Sequence, residues 1–362
     1  MIPIKARHEK PRHAKIKKRA IREKCDIPEE PKKAEEAEKA QAPEKEEKSE
    51  KAENTEKKAE KSERPKKQAA AAESSGQPAR WKRLLLTATV LAILIATMAR
   101  LLWENIRYNR THYTAEFYQI HSRKLTRSFR IVFLTDVHLR EYGADNCNLV
   151  QDIRNLKPDL ILLGGDMATY DVGPSYDNML SLCSQLAGIA PVCGVLGNHE
   201  DELYFLDGDT DLVDRFTEAG VRVLRNQEAV YLINDNTISI LGIEGNSRDF
   251  DKYGAREFMD RAEQKTNYDF RICIAHVPTY FPDALENYSF ELGLAGHTHG
   301  GIIRLPMIGP LYSAEEGFFP TYGGGSYAMA NGGTLIVSRG LGDSSAVPRI
   351  NNVPELSVID ID

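Results

Sequence analysis

Residues 131–138 have the sequence Ile-Val-Phe-Leu-Thr-Asp-Val-His, and this stretch decides the fold. Its four apolar residues are typical of a strand that is buried on both faces of its sheet. The polar residues that follow belong to the carboxyl edge of the sheet, where α/β proteins form their sites. The stretch therefore predicts a buried strand at 131–134 and a functional loop that carries Asp136 and His138.

Four later blocks repeat this arrangement of an apolar run followed by polar residues. They are Gly164-Gly165-Asp166, Gly197-Asn198-His199-Glu200, Ala275-His276 and Gly296-His297-Thr298-His299-Gly300. Five of the nine histidines in the chain lie in the five blocks. The first three blocks follow one another at the spacing of βα units, so parallel strands are expected to bring their polar ends to one edge.

The side chains in these blocks predict a metal site. A single Asp-x-His or a single buried histidine is more often structural than a ligand, but five such blocks in one chain reverse that balance. Carboxylate, carboxamide and imidazole groups together suit first-row divalent metals, and seven ligands with a shared aspartate suit two ions better than one. These ligand types are compatible with manganese, iron and zinc alike.

The secondary structure expected from the apolar pattern alternates between strands and helices. Strands are predicted at 131–134, 160–163, 192–196, 230–233, 237–243, 271–275, 292–295, 334–337 and 356–361, and helices at 148–156 and 178–186. Residues 300–333 are rich in glycine, proline and aromatic residues and are expected to form long loops over the site. The pattern indicates an α/β fold.

The N-terminal part of the chain has a different composition. Residues 1–80 are rich in lysine, glutamate and alanine, and a segment with so little to bury is expected to be a disordered tail. Residues 84–103 are almost entirely apolar, and about 20 such residues suffice to cross a bilayer. We therefore expect a tail at 1–80, one transmembrane anchor at 84–103, a linker at 104–124 and a catalytic domain at 125–362.

The charges are unevenly distributed along the chain. Residues 1–80 carry 23 of the 47 basic residues and 17 of the 53 acidic ones, which leaves 24 bases and 36 acids for the rest. An acidic body argues against binding to nucleic acid. Basic residues near the span favour a cytoplasmic tail and an extracytoplasmic body, because six (Arg64, Lys66, Lys67, Arg80, Lys82, Arg83) precede it and three (Arg107, Arg110, Arg123) follow it.

The five blocks resemble the pattern of the calcineurin-like metallophosphoesterases, which is Asp-x-His, Gly-Asp, Gly-Asn-His-Glu/Asp, His and Gly-His-x-His. The resemblance covers about residues 125–362. Residues 300–306 and 337–342 are also similar to the membrane-anchored bacterial YkuE/YaeI-type branch. The resemblance implies a four-layer αββα sandwich of two mixed sheets.

The resemblance also assigns roles to individual residues. Asp136, His138 and His299 would hold one ion, Asn198, His276 and His297 the other, and Asp166 would bridge both. His199 would protonate the leaving alkoxide. Asp171 is the candidate to orient His199, although its spacing differs from the usual one, and Ile302 stands where the branch often has glutamine.

The sequence thus predicts a membrane-anchored phosphoesterase with two metal ions. It would cleave a phosphodiester or pyrophosphate bond by attack of a metal-activated hydroxide, on a lipid or envelope substrate. Two alternatives stay open: a nuclease of the same fold, which the acidic body disfavours, and a catalytically inactive membrane scaffold, which would not need all seven ligands.

Overall fold

The computed structural model describes residues 77–169, 176–205, 208–244, 249–313, 316–343 and 347–362. Of these, residues 100–362 form one compact unit and residues 77–99 another. The predicted disordered tail lies outside the described residues, except for its last four positions.

The first helix, at Gln77–Thr111, extends over residues of both units, and beyond it the larger unit alternates strands with helices, as the sequence predicts. The α-helices are α1 (Gln77–Thr111), α2 (Cys147–Leu156), α3 (Asp177–Ala187), α4 (Asn198–Phe205), α5 (Leu212–Glu218), α6 (Ala255–Glu263) and α7 (Tyr280–Asp283). The strands are β1 (Thr114–Ile120), β2 (Phe129–Leu134), β3 (Leu160–Leu163), β4 (Val192–Gly194), β5 (Val221–Val223), β6 (Gln227–Ile233), β7 (Asn236–Ile243), β8 (Phe270–Ala275), β9 (Leu292–Ala295), β10 (Ile303–Leu305), β11 (Gly309–Ser313), β12 (Gly317–Phe318), β13 (Gly325–Ala328), β14 (Thr334–Val337) and β15 (Glu355–Ile361).

Two six-stranded mixed sheets form the core of this unit. The first has the order β1-β15-β2-β3-β4-β5, with β2 to β5 parallel and β15 antiparallel to β2. The second has the order β13-β14-β9-β8-β7-β6, with β14, β9, β8 and β7 parallel and an antiparallel strand at each edge. A smaller sheet contains β10, β11 and β12.

Apolar side chains pack the two large sheets face to face. Phe133 and Leu162 of the first sheet share a buried cluster with Ile240 and Ile274 of the second. The opposite face of the first sheet packs against α2, α3 and α5, and that of the second against α6 and α7. Each fully buried aliphatic side chain stabilises the fold by about 1.5–3 kcal/mol. The predicted four-layer αββα sandwich is confirmed.

Two segments contain more regular structure than the sequence indicated. The predicted linker at 104–124 holds the end of α1 and the edge strand β1, which pairs in parallel with β15. The segment 300–333, predicted as loops, contains the small sheet and β13. These strands are short or at an edge. Strand β1 pairs with the distant β15, whereas β10 to β13 pair with strands that are near them in the chain.

Helix α1 is long and apolar enough to cross a membrane, over Arg80–Thr111. No proline or glycine follows Pro78 in this helix, so its hydrogen-bond ladder is uninterrupted. Its 35 residues extend for about 50 Å, which exceeds the roughly 30 Å of a hydrocarbon core. The hydroxyls of Thr89 and Thr97 donate to the carbonyls four residues earlier, which removes polar groups from an apolar surface.

Candidate metal centre

The loops that follow β2, β3, β4, β8 and β9 converge at the carboxyl edges of both sheets. They carry all eight residues that the sequence singled out: Asp136, His138, Asp166, Asn198, His199, His276, His297 and His299. Seven of these are the predicted ligands. Parallel strands deliver successive loops to the same edge, so the fold itself brings these residues together.

The first cluster contains Asp136, His138 and His299, all three on loops that end a central strand. Their ligand atoms lie within 4.8 Å of one another. His299 Nε2 is 3.4 Å from Asp136 Oδ1, and His138 Nε2 is 3.1 Å from His299 Nε2. Two imidazole nitrogens and a carboxylate oxygen therefore point at one small volume.

The second cluster contains Asp166, His276 and His297. His276 Nε2 is 3.1 Å from Asp166 Oδ2 and 3.2 Å from His297 Nδ1. The same oxygen of Asp166 lies 3.8 Å from His138 Nε2, which belongs to the first cluster. Asp166 is thus placed between the two clusters.

Asn198 and His199 stand at the start of α4 and line the same pocket. Asn198 Oδ1 is buried and has no hydrogen-bond partner within the described part of the chain. A buried carboxamide oxygen without a donor is costly, and a cation would satisfy it. The His199 backbone N–H donates to Asp166 Oδ1 at 2.9 Å, and the His199 ring lies 4.9 Å from that of His138.

The backbone around the centre adopts conformations that amino acids other than glycine rarely use. Five of the predicted ligands have a positive φ: Asp136 (51°), His138 (48°), Asp166 (52°), His297 (67°) and His299 (50°). Each such residue costs about 1–2 kcal/mol, and such strain concentrates at functional sites. Gly197 and Gly296 allow close approach, because an added Cβ would lie 2.1 Å from Asp166 Oδ1 or 2.2 Å from Asp136 Oδ2.

The buried carboxylate of Glu200 links two of the loops. It accepts hydrogen bonds of 2.8 Å from the backbone N–H groups of Asp166, Ala168 and Gly197. The sequence showed Glu200 within a block but gave it no role. The signal was its place in the first turn of a helix, where a carboxylate can reach back to free N–H groups.

Burial and pairing set the protonation of the histidines. Burial lowers the pKa of His138 to about 3 and, with the neighbouring His138, holds the pKa of His299 well below its ordinary value. Burial also disfavours charge on His276, but the Asp166 carboxylate outweighs it and raises the pKa of His276 to about 10. His276 Nδ1 donates to the Gly164 carbonyl at 2.7 Å, which leaves Nε2 facing Asp166.

One participant that the sequence analysis missed is Arg349, which is 2% exposed. Its guanidinium donates to the His299 carbonyl at 3.1 Å, and its Nη2 lies 3.2 Å from His299 Nδ1. It also pairs with Asp343 at 2.7 Å. Arg349 lies 50 residues from His299 in the chain, so no local pattern could have indicated the contact.

The pocket over the centre has an apolar part. Ile302 and Val347 line it together with His199, Asp343 and Arg349. Ile302, at the position where the sequence departs from the resembled branch, has a positive φ of 33° and is buried. Asp171, the predicted orienting residue, lies outside the described residues.

The residues of the centre fit a pair of divalent cations. The donor set mixes imidazole nitrogens with carboxylate and carboxamide oxygens, and one carboxylate lies between two clusters. The uncompensated Asn198 oxygen and the neutral state favoured for His138 and His299 suit metal binding, which requires deprotonated imidazoles.

The model of the family described as calcineurin-like phosphoesterase matches residues 129–301. The chain is 31% identical over 256 residues to an uncharacterized metallophosphoesterase of Aquifex aeolicus, covering 68% of this chain and 90% of that protein. This chain belongs to the calcineurin-like phosphoesterase family. It is also 28% identical over 241 residues to phosphodiesterase YaeI of Escherichia coli, covering 64% of this chain and 82% of that protein. The uncharacterized metallophosphoesterase YkuE of Bacillus subtilis is 30% identical over 238 residues, with coverage of 64% and 79%.

Membership confirms the predicted family and makes this protein a metal-dependent phosphoester hydrolase. Calcineurin-like phosphoesterases use a dinuclear centre of divalent metal ions, and the clustered histidines and aspartates agree with that.

Proposed function

We propose that this protein is a membrane-anchored phosphodiesterase of the YkuE/YaeI-type branch that acts on a lipid or envelope phosphodiester or pyrophosphate. The observation that carries the proposal is the position of Asp166, whose Oδ2 lies 3.1 Å from His276 Nε2 in one cluster and 3.8 Å from His138 Nε2 in the other. A carboxylate placed in this way serves two ions at once.

The proposed ligands divide between the ions by cluster. One ion is assigned to Asp136, His138 and His299, and the other to Asn198, His276 and His297, with Asp166 shared. Manganese, iron and zinc all accept this donor set. Bound there, such a pair would lower the pKa of a water, polarise the phosphoryl group and neutralise the charge that develops on its oxygens.

His199 is assigned the role of general acid. It follows the proposed ligand Asn198 directly, and its backbone N–H is tied to Asp166. Its ring lies beside the centre, within 4.8 Å of ligand atoms of His138 and Asp166, and it is not one of the seven proposed ligands. A protonated imidazole there donates its proton to the leaving oxygen as the P–O bond breaks. Glu200 and Arg349 act through other residues, by fixing the positions of Asp166 and His299.

The membrane assignment rests on helix α1 and on the basic residues that flank it. Arg80–Thr111 is long and apolar enough to cross a bilayer, and more basic residues precede the span than follow it. This supports an N-terminus in the cytoplasm and a catalytic domain outside. A similar protein is named as a phosphodiesterase, which supports a diester as the substrate class.

The test makes the same substitution at two aspartates whose backbone is in the left-handed region. Asp136 (φ 51°) is buried in the centre, whereas Asp235 (φ 66°) is exposed, so Asp→Asn preserves the turn at both positions. After chelation and addition of manganese, the wild type and Asp235→Asn should hydrolyse bis-p-nitrophenyl phosphate, and Asp136→Asn should not. The proposal fails if the purified full chain hydrolyses neither this diester nor p-nitrophenyl phosphate, or if single-stranded DNA is the better substrate.

A further inference from the structure

The turn between β10 and β11 exposes apolar side chains where turns usually carry polar residues or glycine. It consists of Pro306, Met307 and Ile308, and Met307 is 106% and Ile308 66% exposed. Met307 has a φ of 63°, a left-handed conformation that favours glycine or asparagine. Folding alone would favour other residues here, so the apolar turn indicates a surface that is covered by a partner.

The exposed apolar surface extends into the small sheet. Beyond α1, nine large apolar side chains of the described residues are exposed, and five of them lie between residues 303 and 319: Met307, Ile308, Tyr312, Phe318 and Phe319. Residues 303–313 contain one charged residue, Arg304, and the acidic residues Glu315 and Glu316 follow before Phe318. Exposed apolar patches of this kind mark contacts with a membrane or with a protein partner.

This surface lies close to the residues of α1 that follow Trp103, where the apolar stretch of the helix ends. Within the larger unit, Asn105 of α1 is linked to Asn351 by a hydrogen bond of 3.1 Å between the side chains and one of 2.8 Å from the Asn351 N–H to Asn105 Oδ1. Asn351 shares a surface depression with Met307 and Ile308. Asn105 is two positions after Trp103, or about 3 Å along the helix axis.

We propose that the turn Pro306–Ile308 inserts into the surface of the bilayer that α1 crosses and holds the mouth of the metal centre at the depth of the lipid headgroups. The inference deepens the proposed function and rests on its membrane anchor. The occupant of the surface is lipid, because Met307 and Ile308 line the same depression as Asn351, which is hydrogen-bonded to Asn105 just beyond the apolar stretch of α1.

Residues 347–351 connect the depression beside the turn to the catalytic pocket. Val347 and Arg349 line that pocket, and the Asn109 side chain donates to the Arg349 carbonyl at 3.0 Å. Val347 and Asn351 are four positions apart, which spans at most about 14 Å when the chain is fully extended. The substrate class that fits this placement is a phosphodiester in the headgroup of a membrane lipid.

The first experiment locates the turn in full-length protein reconstituted into phosphatidylcholine–phosphatidylglycerol vesicles with acyl-chain nitroxides. Ile308→Cys carries an environment-sensitive fluorophore, and Leu232→Cys, at an exposed position on edge strand β6, is the control. Cys25 and Cys147 are replaced by serine in both, and the three remaining cysteines are buried. The label at 308 should be quenched strongly and that at 232 weakly; equal quenching overturns the proposal.

The second experiment tests the consequence for catalysis. Met307→Asn combined with Ile308→Ser suits the left-handed turn and should leave the fold intact, and Val230→Thr with Leu232→Ser is the matched control. The turn variant should lose about tenfold in hydrolysis of phosphatidyl-p-nitrophenol in vesicles, as expected for partial burial of two side chains. It should keep its rate on soluble bis-p-nitrophenyl phosphate, and the control should keep both rates.

A turn variant that retains the vesicle rate overturns the membrane contact. A wild-type chain that hydrolyses neither the soluble diester nor p-nitrophenyl phosphate instead overturns the proposed function. The quenching measurement needs no catalysis and therefore distinguishes the two failures.

Discussion

At the residue scale, Asp166 and His199 are joined by one hydrogen bond but have different proposed roles. Asp166 lies between both clusters, whereas His199 approaches the centre from the start of α4. Asp166→Asn keeps the shape but removes the bridging charge, so both ions should bind poorly and activity should collapse. Metal content by mass spectrometry and diester hydrolysis together measure this loss.

His199→Ala should retain about two ions per chain, because none of the seven proposed ligands is removed. General acid catalysis contributes about 100- to 10,000-fold, and this is the loss expected on a diester with an alkyl leaving group. An activated aryl leaving group needs little protonation, so the same variant should lose much less there. His121→Ala, at an exposed histidine, is the control. An emptied metal site, or equal losses on both leaving groups, would show that His199 is not the acid.

The pairing of His276 with Asp166 predicts that metal binding releases a proton. The carboxylate raises the pKa of His276 to about 10, so in the metal-free protein its Nε2 keeps a proton at neutral pH. A cation at Nε2 must displace that proton, and the apparent metal affinity should therefore increase with pH up to about pH 10. Titration calorimetry of the chelated protein, in two weakly metal-binding buffers of different ionisation enthalpy, counts the protons released.

In the metal-free protein, the stabilisation by the His276–Asp166 pair decreases as the pH increases. A raised histidine pKa stabilises the folded state fully below the unfolded value of about 6.5, and this contribution is lost as pH increases through about 10. Unfolding measured across that range should show the decline. A calorimetric proton count of zero at neutral pH would contradict the pairing.

At the scale of elements, the start of α4 depends on Glu200. Its carboxylate accepts three backbone N–H groups, so Glu200→Gln turns an amide N–H₂ towards at least one of these donors. A buried donor left without a partner costs about 1–3 kcal/mol. The thermal unfolding temperature in mild detergent should therefore fall, and metal occupancy should fall with it. Glu202→Gln on the same helix is the matched control, and equal unfolding temperatures for the two variants would refute the role.

Elements that a local pattern defines were predicted closely. The strands at 160–163, 292–295 and 334–337 have the predicted bounds, because each is a short apolar run buried on both faces and ended by polar residues or glycine. Strand β1 was missed because its partner, β15, lies about 240 residues away and its own pattern is only partly buried. The small sheet was missed because glycine and proline obscure strands of two to five residues.

The residues of the candidate site also divide into those that the sequence predicts and those that it does not. The sequence named the eight residues that converge, because each lies directly after a strand whose direction fixes where it ends. It gave no role to Glu200 and did not indicate Arg349, since both act through contacts that only the folded chain creates. The backbone strain at Asp136 and His299 was equally invisible to the sequence, which contains no signal for a left-handed aspartate or histidine.

At the scale of the whole molecule, the chain combines a basic tail, an apolar helix and an acidic catalytic body. Six basic residues lie shortly before the apolar stretch of α1 and three shortly after it, which favours retention of the N-terminal side in the cytoplasm. The body would then meet its substrate on the outer side of the membrane. The orientation decides which phosphoesters are accessible, because a charged headgroup does not cross the bilayer readily.

Protease protection tests this orientation. With one epitope at each terminus, protease added to intact spheroplasts should digest the body and leave the N-terminal epitope protected. After osmotic lysis, the N-terminal epitope should be lost as well, which shows that the protease can cleave the tail. Loss of the N-terminal epitope alone in intact spheroplasts would reverse the orientation. The substrate would then be sought among phosphoesters at the cytosolic membrane surface, such as a nucleotide-linked lipid precursor, and the metal centre would keep the same chemistry on the opposite side of the membrane.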